Sequence, residues 1–357
     1  MSVRCHSVSA RINWREQIAA RGYDISLLDH PPHWIEAYDD PFCAVFSRHE
    51  IDNIITGATQ QLTKLILELV EEVCCTGGSE SYFDRLQIAP PFREPIRRSW
   101  KRHDQSLYGR FDFSLNGDSL KLLELNLDTP TSLYESAQLQ RMWLEEMRQF
   151  QEIPFAAMQS NSIQEKLIGC LRLHFSSHEI FHLGTFQHAR EEIDNLKYVQ
   201  SCADMAGLKT QFIYLDEVRY DPEGLPLDRE GRRITCVFKL FPWELLFIED
   251  ARSHAENGKY LFSPLVTSNR TTFIEPAWKS ILSSKSVLPL LWDFTQQREF
   301  LLNPAFDAGS DAATYRDFHL VIGSWVVGDE PAGISVRADF SKTSGRRALF
   351  VPHYVTD

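Results

Sequence analysis

Between Arg110 and Asn126 the chain reads RFDFSLNGDSLKLLELN, which places a guanidinium, two carboxylates and a carboxamide within a short polar–apolar alternation. Two alternating segments, 110–115 and 119–126, flank Asn116-Gly117-Asp118, a strong turn signal, so a β-hairpin is expected. Strand side chains alternate faces, so Arg110, Asp112 and Ser114 share one face while Phe111, Phe113 and Leu115 fill the other. Register then decides the chemistry. A two-residue Asn-Gly turn would set Asp112 and Glu124 on opposite faces; a three-residue loop over 116–118 brings them together. In that register Glu124 sits opposite Arg110 and diagonal to Asp112, roughly 7 Å away, with Asn126 following on the same face. Two carboxylates and an amide oxygen are hard ligands that suit Mg²⁺, which completes its shell with water and phosphate oxygens. The same residues equally suit an exposed polar ribbon on which Arg110 pairs with Glu124.

The elements that must carry this hairpin follow from periodicity. Residues 50–75 place apolar side chains at helical spacing, and Gly77-Gly78 ends that helix. Helices are also expected over about 132–150, 163–175 and 191–205. Strands are expected over 179–186, from Thr210 to Leu215, and over 234–239, 260–266 and 319–327. Alternation of the two types predicts an α/β (α+β) fold.

The chain has 357 residues, 43% apolar and 24% charged, enough for a sizeable core, and no linker-like stretch divides it. Its net charge of −12 and lack of a basic run disfavour nucleic acid and anionic membrane as partners. Nowhere do 18 uncharged apolar residues run together, and the start has no apolar leader, so a cytoplasmic location is expected. Seven scattered cysteines lack zinc spacing and read as reduced, mostly buried thiols. Trp243, Trp278 and Trp292 read as core.

With these segments in hand, the chain resembles the glutathionylspermidine synthase family. The resemblance rests on GRFDF, ELNLDTPTSLYES, KLFPWE (239–244), IEPAWKSILSSKSVLPLLW (274–292), VIGSWVVGDEPAGISVR (321–337) and the closing FVPHY. It implies one ATP-grasp-like catalytic domain over 1–357 with a pre-ATP-grasp subdomain, helical over about 1–100, its metal-binding hairpin at 108–127. It also implies an ATP-dependent ligase that joins a peptide or acid, glutathione-like, to a polyamine-like amine through an acyl phosphate. By matched position Asp112, Glu124 and Asn126 would hold Mg²⁺, and Arg110 and Arg337 would stabilise the reacting centre. Lys285 would contact ATP phosphates. Thr129 and Thr131 would contact the peptide, although both also suit capping of the following helix. Glu191 and Glu192 would recognise the amine, although they equally suit a solvated helix start.

One departure stands out. The family continues from the LLNPAFD equivalent into a Lys-Pro-x-Arg-Glu-Gly segment that covers the nucleotide, whereas this chain passes from Phe306 through AGSDAATYRDFH to VIGSW, so the lid is truncated near 306–318. Such a chain is a ligase with a substitute cover, a nucleotide- or peptide-binding relative that keeps the site without turnover, or a shortened inactive relative.

Overall fold

In the computed structural model, which describes residues 3–20, 34–77, 79–189, 192–295, 313–341 and 348–357, the hairpin strands are Tyr108–Asn116 and Ser119–Asn126. They form one side of a six-stranded antiparallel sheet. Tyr108–Asn116 pairs with Phe318–Val327, which pairs with Glu330–Asp339 and, at its start, with Ala313–Tyr315; Leu349–Val351 closes the far side. The helix Thr56–Cys75 lies on one face of this sheet, because Leu62, Ile66, Leu69, Val70 and Val73 make an apolar stripe along it. That stripe shares a core with Phe111, Phe113, Ile322 and Val336, so the polar residues of the hairpin are turned to the opposite face.

The register of the hairpin differs from the expected one. Asn116 pairs with Ser119, which makes the turn two residues, Gly117 and Asp118, with Gly117 at φ 61°. A bulge between Asp112 and Phe113 then absorbs Leu123, after which Asp112 lies directly opposite Glu124 and Arg110 opposite Asn126. The two carboxylates therefore do share a face, but a bulge rather than a three-residue loop puts them there, and Glu124 is not the partner of Arg110.

A second, four-stranded sheet is wholly parallel, in the order Thr272–Ile274, Cys236–Lys239, Phe181–Thr185, Thr210–Tyr214. Helices Ile163–Phe175 and Ile193–Met205 share its core through Leu167, Leu171, Leu196 and Val199, and the same core includes Tyr108 and Trp325 of the hairpin sheet. The two sheets thus meet at the start of the hairpin. Strands Arg4–Ser7, Phe42–Ser47 and His353–Thr356 form a third sheet that ties the two ends of the chain together, so the N-terminal part carries two strands among its helices.

The strand expected over 260–266 is not formed; Ser263–Ser268 is a short helix. Pro264 supplies the pre-set φ of a first helical turn. The buried Asp250 carboxylate accepts hydrogen bonds from the backbone N–H of Leu261, Phe262 and Ser263 at 2.6–2.8 Å, a tertiary cap that overrides the local apolar run. Among the described residues no helix is long and apolar enough to cross a membrane.

Candidate functional site

On the polar face of the hairpin Arg110, Asp112 and Ser114 are buried, and hydrogen bonds converge on Asp112. Arg110 Nε donates to Asp112 Oδ1 at 2.6 Å and its Nη2 to Oδ2 at 3.1 Å; Asn126 Nδ2 and Arg337 Nη2 donate to Oδ2 at 2.6 and 2.7 Å. Asp112 is only 1% exposed and Arg110 2%. Arg337 arrives from Glu330–Asp339, two strands away, through the register that pairs it with Val321. The bare Cα of Gly323, opposite Asp112, leaves the space, since a Cβ there would come within 2.6 Å of both Arg110 Cδ and Ser335 Oγ. Trp325, opposite Arg110, lies 5.3 Å beneath its guanidinium and supports it from the apolar side.

Burial alone would raise the Asp112 pKa, but Arg110, Arg337 and the Asn126 hydrogen bond overcome it and hold the carboxyl below its ordinary range. Burial lowers the Arg337 pKa against the pull of Asp112, and Arg337 Nε is buried without a hydrogen-bond partner. Two guanidiniums thus face one buried carboxylate, while Glu124 is exposed and acts on Arg337 through its charge. This arrangement favours an added anion.

The donor types also suit a hard cation. Asp112 and Glu124 are direct cross-strand neighbours, and Asn126 lies two residues along the same face. Yet the four hydrogen bonds of Asp112 named above all come from nitrogen donors, and among the described residues no three His, Cys, Asp or Glu side chains are grouped to hold a metal ion.

A second network, not singled out from the residue spacing, lies where the two sheets meet. Lys239 Nζ donates to Asp128 Oδ1 at 2.7 Å, and the Trp243 backbone N–H donates to Asp128 Oδ2 at 2.7 Å. Glu275 pairs with Lys279 at 2.6 Å and accepts from the backbone N–H of Leu107 and Tyr108. Burial lowers the Lys239 pKa against Asp128, and raises that of Glu275 against Lys279. Burial, followed by Glu275, Glu192 and Asp128, also raises the pKa of Tyr108, whose hydroxyl lacks a hydrogen-bond partner. Lys239 and Glu275 fall inside the KLFPWE and IEPAWK segments, but no residue spacing signals which acid each base will meet.

The remaining expected site residues divide. Thr129 and Thr131 lie in the loop after Asn126, and Arg110 Nη1 donates to the Thr131 carbonyl at 2.5 Å. They do not cap the following helix; Asn195 Oδ1 accepts from the N–H of Leu133 and Tyr134 instead. Glu192 precedes Ile193–Met205 and acts on Tyr108 through its charge, whereas Glu191 lies outside the described residues. Lys285 is exposed in the turn between Ser280–Ser283 and Val287–Phe294, with no described ion pair to the Asp112 cluster. The lid truncation near 306–318 falls largely on residues outside the description, which resumes at Ala313. Trp243 and Trp278 are buried and Trp292 packs against the core as expected. All seven cysteines are free, five of them buried, with Cys5 intermediate and Cys75 exposed.

Comparison with known proteins bears on the family and the fold. The family described as glutathionylspermidine synthase preATP-grasp matches residues 5–316. A putative acid–amine ligase of Haemophilus influenzae is 31% identical over 395 aligned positions, covering 93% of each chain. The alignment is longer than this 357-residue chain, so the relative carries residues that have no counterpart here. The bifunctional glutathionylspermidine synthetase/amidase of Escherichia coli is 24% identical over 76% of this chain, which spans only 45% of that protein. Among solved structures, a glutathione synthetase-like effector of Globodera pallida shares the fold with a TM-score of 0.53 at 12% identity, covering 88% of this chain and 89% of the other. With a match across most of its length and a relative of this similarity, the chain belongs to the glutathionylspermidine synthase pre-ATP-grasp family.

Proposed function

We propose that this chain is an ATP- and Mg²⁺-dependent acid–amine ligase. The observation that carries the reading is the convergence of two guanidiniums, buried Arg110 and half-buried Arg337, on the single carboxylate of Asp112. A carboxylate oxygen of the acid substrate attacks the γ-phosphorus of ATP, the bond to the β-phosphate oxygen breaks, and ADP leaves. The amine nitrogen then attacks the acyl carbon, phosphate leaves, and the amine loses a proton. Arg110 and Arg337 offset charge on the transferring phosphoryl group and on the acyl centre. Asp112, Glu124 and Asn126 would hold Mg²⁺, which neutralises charge on the nucleotide phosphates. Lys285 would reach phosphate from its exposed turn. Thr129 and Thr131 would meet the acid substrate, a glutathione-like peptide being the natural candidate, and Glu191 and Glu192 a cationic, polyamine-like amine.

A second reading, nucleotide or peptide binding without turnover, is favoured by the shortened region near 306–318 and by the longer relative. One experiment separates the two. Thermal shift and ADP release are followed with Mg²⁺, ATP, glutathione and spermidine, in the parent and in Asp112→Ala and Glu124→Ala. A ligase releases ADP only with acid and amine present and loses that release in both variants. Stabilisation by Mg·ATP without release supports the nucleotide-binding reading, absence of Mg²⁺-dependent ATP binding in the parent sinks it and the ligase reading, and peptide binding then stands or falls with stabilisation by glutathione alone.

A further inference from the structure

We propose that Asp128 and Lys239 are positioning residues that fix the loop 127–132 for a carboxylate-bearing substrate, an inference that rests on the ligase reading above. Asp128 stands between Asn126 and Thr129, directly after the hairpin. It is 5% exposed and Lys239 1%, and both of its oxygens are used, one by the Lys239 ammonium and one by the Trp243 N–H. Lys239 ends the strand Cys236–Lys239, also donates to the Phe241 carbonyl at 3.0 Å, and sits 4.9 Å over the Trp243 ring. The start of the loop is thereby fastened to the parallel sheet.

Its other end is fastened to different elements. Arg110 holds the Thr131 carbonyl, and Asn195, from Ile193–Met205, accepts from Leu133 and Tyr134. Three side chains from three elements thus fix the backbone on either side of Thr129 and Thr131. Between these anchors Thr129 is half-buried and Thr131 exposed, a placement that leaves their hydroxyls near the surface of a held backbone. A buried ion pair is a poor way to gain stability alone, because an apolar pair of the same volume does as well or better. It is a good way to fix a carboxylate-bearing loop in one geometry, and binding groups gain most from such support. Because Arg110 contacts both Asp112 and Thr131, the clamp also sets the acid-binding loop against the phosphoryl-binding face.

The test uses Asp128→Asn, Lys239→Met and the double variant, with glutathione as the acid probe. ADP release is measured as KM for glutathione and for ATP, alongside hydrogen–deuterium exchange of residues 127–132 and thermal unfolding. Each single variant is expected to raise the glutathione KM on the order of tenfold while leaving the ATP KM unchanged, and to speed exchange in the loop. The double variant, which buries no lone charge, is expected to regain much of the thermal stability without regaining the glutathione KM. A glutathione KM that returns to the parent value with stability overturns the proposal in favour of a purely structural pair. Unchanged exchange in 127–132 overturns it as well. If the parent releases no ADP, the ligase reading fails; faster loop exchange in the variants, together with weaker glutathione binding by calorimetry, then still supports the clamp, and parent-like values of both overturn it.

Discussion

Two groups of buried charge adjoin the same hairpin and are balanced differently. Around Asp112 two guanidiniums share one buried carboxylate, and Glu124 stays exposed at the sheet edge. Around Asp128 and Glu275 each carboxylate has its own lysine, and backbone N–H groups take up remaining oxygen capacity. The paired lysines satisfy their acids and hold sheets and loop together. The arginines leave positive charge and a buried donor, Arg337 Nε, not consumed by the protein, which is the condition for receiving an anion. Balance therefore separates the group that holds from the group proposed to bind.

Breaking the balanced group is expected to have the largest effect on stability. Lys239→Met leaves Asp128 charged and buried, and urea unfolding should show a loss of ~3–5 kcal/mol, of which adding Asp128→Asn recovers more than half. Arg337→Ala should behave oppositely: Asp112 keeps Arg110, so stability falls by only ~1–2 kcal/mol, while ADP release falls by roughly 10²–10³. A stability loss at Arg337 as large as that at Lys239 would erase the distinction between the two groups. Gly323→Ala forces a methyl against Arg110 Cδ and Ser335 Oγ, for an expected cost of about 1–3 kcal/mol and displaced Arg110.

The smallest effects concern pH, and their signs are opposite. The Asp112 pKa is held below 3.8 in the fold, so its contribution is present above that value and is lost as pH falls through the folded pKa. The Glu275 pKa is raised above 4.5, so the folded state holds the proton more tightly, and its contribution is greatest below 4.5 and declines as pH rises through the folded pKa. Urea midpoints compared between pH 7 and pH 3 should accordingly show a shallower acid loss in Asp112→Asn and a steeper one in Glu275→Gln. The same sign in both variants would contradict the contrast.

Much of the site was open to reading along the chain, and one error is instructive. The two strands, the turn region and the company of Asp112, Glu124 and Asn126 follow from alternation. The bulge also left a trace: in LKLLELNL the buried leucines are 120 and 122, then 125 and 127, a change of phase across Leu123 that a loop-only reading of register overlooks. The strand expected at 260–266 failed for a different reason, because Asp250 caps that segment from a neighbouring helix.

By itself the sequence determined which residues lie along each hairpin strand, the apolar stripe of Thr56–Cys75 and the α/β alternation, because these depend on local periodicity and turn chemistry. Only the tertiary structure decided that Arg110 pairs with Asp112 beside Arg337 rather than with Glu124, that Lys239 meets Asp128, and that Lys285 stands in an exposed turn. The physical reason is separation: Asp128 and Lys239 are 111 positions apart, and Asp112 and Arg337 are 225 apart. Pairing of distant strands within the hairpin sheet brings Asp112 to Arg337, and packing of that sheet against the parallel one brings Asp128 to Lys239; no local preference does either.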